Sequence, residues 1–293
     1  MPLIEINNVT KDYGEKRGNF GVSLSIERGE VFGFVGTNGS GKTTLIRQMM
    51  GFLRPDSGNI NINGLDSWRD SAEIKKLIGY VPGEIAFPDA PTGTVFLQRQ
   101  AELLGVKDMS YAKEIIETLQ LDPTANLKRM SKGMKQKTAI VAAFMADSEI
   151  LILDEPTTGL DPLMRTGFIE LINTEKAKGK TIFMSSHMFE EMEDTCDRVA
   201  LIKDGEIIEV KSTLEIKRNE NKEYKIEFAT ADDYKRFLCE PLEIAGQREG
   251  QNQVFVNVND RDINGFLSML KNYDLKFITE IKYSLEQYFK SHY

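Results

Sequence analysis

Apolar and polar residues alternate over positions 3–6 and 22–26, the period-two pattern of half-buried antiparallel strands. The pattern then changes. Val31-Phe32-Gly33-Phe34-Val35 is continuously apolar, as in a strand covered on both faces. A helical pattern covers residues 43–50, and residues 59–63 alternate again before Gly64 ends them. Over residues 94–145 the apolar positions fall at helical spacing: Val95, Leu97, Leu103 and Leu104, then Ile115, Ile116, Leu119 and Leu121. This predicts a mostly helical insertion into an α/β core. The core resumes with Glu149-Ile150-Leu151-Ile152-Leu153-Asp154, a run suited to a central parallel strand. A helix over 162–178 with Pro162 in its first turn, a strand over 181–185, a helix over 189–196 and a strand over 199–203 follow. Asp204-Gly205 predicts a tight hairpin turn into a strand over 206–211.

The remainder has its own rhythm. Strands are predicted at 224–228, 242–246, 253–258 and 275–282, helices at 231–238 and 262–272, and a short terminal helix at 285–293. The order β-α-β-β-α-β is that of a split, ferredoxin-like unit. We place the boundary near Ser212, before the charged stretch 217–223, giving domains 1–212 and 213–293 with a helical subdomain over about 84–146.

Composition narrows the class. At 293 residues and 41% hydrophobic content the chain has room for two globular domains. Its uncharged runs, of which 139–146 is among the longest, fall short of the roughly 18–20 apolar residues that cross a bilayer. The start, Met1-Pro2-Leu3-Ile4-Glu5, lacks the basic and apolar regions of a secretory signal. With only Cys196 and Cys239, neither a disulfide framework nor a cysteine-based zinc site is expected. A net charge of −8 disfavours nonspecific attraction to nucleic acid. A cytoplasmic protein is expected.

The chemistry begins at Gly36-Thr37-Asn38-Gly39-Ser40-Gly41-Lys42-Thr43-Thr44, between the buried strand and the first helix. Glycines there let the backbone wrap so that successive N–H groups point at phosphate oxygens, and the helix N-terminus adds partial positive charge. Lys42 would reach the β- and γ-phosphates and the Thr43 hydroxyl would hold Mg²⁺. The second element is Asp154-Glu155 at the end of the central strand: Asp154 suits the carboxylate behind Mg²⁺, and Glu155 could orient or deprotonate an attacking water. An acidic pair before Pro156 is also a common turn opening; its combination with the phosphate loop favours the catalytic reading.

Three further segments complete a series: Met130-Ser131-Lys132-Gly133-Met134-Lys135-Gln136-Lys137, Gly159-Leu160-Asp161-Pro162 and Ser185-Ser186-His187. With them, residues 1 to about 211 closely resemble the ATP-binding subunit of ABC transporters, of the bacterial exporter type. The resemblance implies a P-loop ATPase core with an antiparallel β subdomain and a helical subdomain. It implies that Tyr13 stacks on adenine and that Ser131 and Gly133 contact the γ-phosphate bound by a second subunit. Asp161 would link the two sites across the dimer, and His187 would be the γ-phosphate switch. The implied partners are a second copy or a homologous ATPase subunit and a separate transmembrane permease, docking on residues 83–96. The chain would then work at the cytoplasmic face of the membrane, with a peptide, antibiotic or lipid as cargo.

Two departures from the family pattern stand out. Gly83, in Gly79-Tyr80-Val81-Pro82-Gly83-Glu84, replaces the usual glutamine and its side-chain oxygen. Water fills that place, or Glu84 swings in, or hydrolysis is slower. Lys132 replaces the first of two signature glycines, adding bulk and charge. These features keep open a catalytically weak regulatory subunit as a rival. A soluble, non-transport ABC ATPase is the other; tandem ATPase units, a long coiled coil or a basic face would favour it, and the sequence displays none of them.

Overall fold

The alternating N-terminal segments pair as antiparallel strands, β1 (Ile4–Asp12) with β2 (Gly18–Ile26). The computed structural model describes residues 2–217, 220–281 and 284–290. The chain divides into two compact units, Met1–Thr213 and Leu214–Tyr293.

In the first unit β3 (Val31–Val35) is followed by α1 (Lys42–Met49), then by β4 (Ser57–Ile62) and the short β5 (Leu65–Asp66). The helix α2 (Ser71–Leu77) leads into β6 (Ile78–Val81). Three helices follow, α3 (Gly93–Leu104), α4 (Ser110–Thr118) and α5 (Lys132–Phe144). Next come β7 (Ile150–Asp154), α6 (Pro162–Ala177), β8 (Thr181–Ser186), α7 (Phe189–Thr195), β9 (Arg198–Lys203) and β10 (Glu206–Ser212).

These strands make two sheets. One is antiparallel, in the order β2-β1-β4-β5. The other has six strands in the order β10-β9-β3-β8-β7-β6, parallel except for β10, which returns antiparallel on β9. The Asp204-Gly205 turn has φ of 50° and 83° at its two residues, the left-handed pair that a two-residue hairpin requires. Every residue of β3, β7 and β8 is buried, which explains the continuous apolar run of β3 and the apolar stretches 150–153 of β7 and 182–184 of β8. Ile4, Ile6, Ile26, Phe32, Phe34, Ile46, Ile60, Ile62 and Phe183 belong to one core shared by both sheets and α1.

The elements β6 and α2 lie outside the sequence expectations. β6 is four residues long with Gly79 inside it, too short for a periodic signal. Glycine is needed there because a Cβ would sit 2.2 Å from the Ala143 carbonyl oxygen of α5.

A short helix, α8 (Thr213–Lys217), follows β10. The second unit then runs β11 (Asn221–Phe228), α9 (Ala231–Phe237), β12 (Glu243–Arg248), β13 (Gln253–Asn259), α10 (Ile263–Leu270), β14 (Leu275–Ile281) and α11 (Leu285–Lys290). Its sheet is antiparallel, in the order β12-β13-β11-β14. This is the expected β-α-β-β-α-β unit. Ile226, Phe228, Val254, Val256 and Val258 alternate inward along β11 and β13 to meet Phe237 of α9 and Phe266 of α10. The last three residues of the expected terminal helix, and His292 with them, lie outside the described residues.

Candidate nucleotide site

The strand order brings the two chemical elements together. β8 lies between β3 and β7, and all three are parallel, so the phosphate loop after β3 and Asp154-Glu155 at the end of β7 emerge on the same edge. In register, Ser185 of β8 stands beside both Phe34 and Asp154.

The loop itself is held from behind. Asn19 and Gln48 are fully buried; the Gln48 amide donates to Asn19 Oδ1 (3.0 Å) and the Asn19 amide donates to the Gly41 carbonyl (3.1 Å). Gly41 has φ of 105°, and a Cβ on it would approach Asn19 Nδ2 to 2.5 Å, so both backbone and space call for glycine. Gly36 is packed just as closely, against the Ile202 carbonyl and Ser40 Oγ. Gly36 and Ser40 therefore shape the loop from its inner side.

A cavity of about 350 Å³ opens over the loop, lined by Tyr13, Asn38, Gly39, Gly41, Lys42, Thr43, Thr44 and Glu155, together with Arg17, Arg47, Gly83 and Glu84. The half-exposed Tyr13 ring at its rim offers a flat apolar face. Lys42 is only 4% exposed; its ammonium donates to the Gly36 carbonyl (2.7 Å) and the Thr37 carbonyl (3.1 Å) and pairs with Glu155 Oε1 (3.2 Å).

Asp154 is fully buried. Ser185 Oγ donates to its Oδ1 at 2.6 Å, while its Oδ2 has no hydrogen-bond partner among the described residues. Burial pushes this carboxyl above the ordinary range, against the opposing effect of the Ser185 and Thr43 hydroxyls. A buried carboxylate oxygen without a donor, beside the Thr43 hydroxyl, fits an oxygen-seeking cation such as Mg²⁺. No group of three or more His, Cys, Asp or Glu able to hold a metal occurs among the described residues, so such a cation would need phosphate and water oxygens as well.

Glu155 sits at φ of 47°, outside the usual range for a non-glycine residue. Its N–H donates to Ser185 Oγ (3.0 Å). Its Oε2 meets His187 Nδ1 (3.2 Å) and accepts from the Thr158 hydroxyl (3.2 Å). Burial raises its pKa, but the charge and hydrogen bond of Lys42, aided by His187, outweigh this and hold it below the ordinary value. The carboxylate is thus kept ionised, as a proton acceptor must be.

Ser131, Gly133 and Asp161 lie outside this cavity. Ser131 caps α5, its Oγ accepting from the Met134 N–H (3.2 Å), and Asp161 caps α6, accepting from the Met164 N–H (3.0 Å). Both are exposed. A Cβ on Gly133 would meet the Gly159 carbonyl at 2.8 Å, and the Lys132 stem lies over Gly159, so the two segments cross closely. A Cβ on Gly83 would come within 2.8 Å of Asp154 Oδ2, so in this backbone conformation any side chain there would collide with that carboxylate. Glu84 borders the same cavity.

The sequence assigned no role to Arg17, to Arg47 or, within Ser185-Ser186-His187, to Ser185. Arg47 lies four residues after Thr43 on α1, a spacing that places both on one helix face. Ser185 gave no local signal; its role depends on β8 lying between the other two strands.

A glycine-rich loop feeding a helix, a buried lysine and a strand-end carboxylate pair on one sheet edge define a P-loop nucleoside triphosphatase. The ABC transporter family profile matches residues 20–158. The chain is 31% identical over 297 residues to the bacitracin transport ATP-binding protein BcrA of Bacillus licheniformis, covering 98% of this chain and 96% of that one. It is 36% identical over 213 residues to the linearmycin resistance ATP-binding protein LnrL of Bacillus subtilis (strain 168), covering 71% and 68%. Among solved structures, the ATP-binding subunit of an ABC transporter superposes with a TM-score of 0.67 at 29% identity, over 74% of this chain and 92% of that one. The chain belongs to the ABC transporter family, as an ATP-binding subunit and an ATPase.

Proposed function

We propose that this chain powers an exporter by clasping ATP between two subunits and passing the resulting motion to a separate transmembrane permease. The observation that carries this reading is the division of the site. The phosphate loop, Asp154 and Glu155 gather on one sheet edge, whereas Ser131 and Asp161 are exposed and outside the cavity. A second copy, or a homologous subunit, would bring its Ser131 segment to the γ-phosphate held by Lys42, so nucleotide binding would shift an open–closed equilibrium. Glu155 would take the proton of the attacking water, His187 would fix Glu155 and sense the γ-phosphate, and Tyr13 would stack on adenine. Thr43 and Asp154 would hold Mg²⁺, which when bound draws negative charge from the phosphates.

The output has to leave the chain, since no described helix is long and apolar enough to cross a membrane. The permease would dock on residues 83–96. Supporting this is a groove of about 300 Å³ lined by Tyr80, Pro82, Ile85, Phe87, Phe96 and Ala143. Phe87 packs on Phe96 with ring centroids 4.6 Å apart, so it forms the wall of that groove. The relatives' names, bacitracin transport and linearmycin resistance, favour a peptide, antibiotic or lipid cargo and a place at the cytoplasmic face of the membrane. The test is co-purification from detergent-solubilised membranes with ATP turnover measured on the complex. A polytopic partner that stimulates turnover is expected; recovery only with ribosomes or DNA would overturn the reading.

A further inference from the structure

Glu191 is a carboxyl outside the cavity that opens over the phosphate loop. It lies on α7, is 3% exposed, and sits between the two segments that carry Glu155 and His187. Its Oε2 accepts from the Thr157 hydroxyl at 2.8 Å, two residues past Glu155. The same oxygen accepts from the Ser186 hydroxyl at 3.2 Å, the residue before His187, and Ser186 Oγ in turn accepts from the Met188 N–H at 2.9 Å. Its Oε1 is buried without a hydrogen-bond partner among the described residues.

A carboxyl this buried has no business in a core on packing grounds alone, because a buried polar oxygen costs free energy unless it gains partners. Here both partners belong to functional segments. The positive φ of Glu155 means its loop departs sharply from β7, and Thr157 is the next side chain that could pin it. Ser186 is the last residue of β8, so its bond to Glu191 sets how the chain leaves the sheet towards His187. The Glu155–His187 contact, at 3.2 Å, is made by a half-exposed ring that nothing else in the described hydrogen-bond network holds.

We infer that Glu191 is a positioning residue for ATP hydrolysis: by accepting from Thr157 and Ser186 together it ties the segment after Glu155 to the segment before His187, and so fixes the distance between those two side chains. Burial raises the pKa of Glu191, opposed by the Thr157 and Ser186 hydroxyls and by the charge of Arg165 and His187. The tie needs one acceptor oxygen and no net charge. It rests on the reading of Glu155 and His187 as the hydrolytic pair.

The test compares Glu191→Ala, Glu191→Gln, Thr157→Val and Glu155→Gln in the full chain with its membrane partner, following kcat and KM for ATP. Each hydroxyl-to-carboxyl bond is worth about tenfold, so Glu191→Ala should lower kcat by about 10- to 100-fold. The KM for ATP should stay within about threefold of the parent, because the phosphate loop is untouched. Glu191→Gln keeps an acceptor oxygen and should restore kcat to within about threefold. Thr157→Val, which leaves Glu191 in place, should lose about 5- to 20-fold, and adding it to Glu191→Ala should cost little more because the two act as a unit. If Glu191→Ala lowers only the melting temperature and leaves kcat at the parent value, the residue is merely structural and the proposal falls. It falls equally if folded Glu191→Gln is as slow as Glu191→Ala, or if Thr157→Val turns over normally. Glu155→Gln separates the two levels: parent turnover in that variant sinks the hydrolytic pair itself, while an inactive Glu155→Gln beside a normal Glu191→Ala sinks the tie alone.

Discussion

Replacing Glu155 with glutamine removes a charge while keeping shape, and the structure says two quantities should move in opposite directions. Glu155 is the anionic partner of Lys42, whose side chain is 4% exposed against 21% for Glu155. The γ-phosphate would need the same ammonium, so Glu155 and ATP compete for it. A charge-assisted contact of this kind is worth about 1.5–3 kcal/mol net, which converts to about 10- to 150-fold in affinity. Glu155→Gln should therefore bind Mg-ATP more tightly by about that factor. Turnover should fall by about 10²–10⁴-fold, because glutamine cannot accept the proton of the attacking water. Phosphate release reads the second quantity and equilibrium titration with a fluorescent ATP analogue reads the first. Turnover at the parent rate would refute Glu155 as the base, and an unchanged dissociation constant would refute its competition for Lys42.

Other outcomes follow from buried charges elsewhere. Glu175 is fully buried, accepts from Tyr111 and Lys178 and forms an ion pair with Lys180, joining α4 to α6 and to the residue before β8. Glu175→Ala leaves Lys180 with Asp147 as its remaining anionic partner and should lower the unfolding free energy by about 1–3 kcal/mol in urea melts. Burial raises the Glu175 pKa but its three donors hold it below the ordinary 4.5, so its stabilisation is present above that value and is lost as pH falls beneath it; Glu175→Gln should flatten the acid limb of stability against pH. Asp154 has the opposite sign: its pKa is raised, so ionising it costs stability as pH climbs past the ordinary 3.8, and Asp154→Asn should melt higher than the parent at pH 7 without nucleotide while losing Mg-ATP turnover. A lower melting temperature in that variant would contradict the orphan-oxygen argument. Cys196 is buried and its thiol is pushed up to about 12 by burial, whereas Cys239 is exposed; a native-state thiol titration should count one reactive group, and two only after unfolding.

Much of this protein was legible in its residues because the governing interactions are local. The phosphate loop needs glycines where φ is positive and a lysine directly at the start of α1, and nine consecutive residues carry all of that. Apolar runs marked β3 and β7, and Asp204-Gly205 marked the hairpin, since burial and turn geometry act on neighbours in sequence. The order of predicted strands and helices likewise exposed the second unit. Other features carry no such mark. That β8 inserts between β3 and β7, so that Ser185 binds Asp154 and the Glu155 N–H at once, is a fact of strand order, which no single segment encodes. The bare Cα of Gly83 against Asp154, the Asn19–Gln48 brace behind the loop and the convergence of Thr157 and Ser186 on Glu191 are of the same kind. Each joins residues far apart along the chain, and a contact of that kind exists only once the sheets have chosen their neighbours.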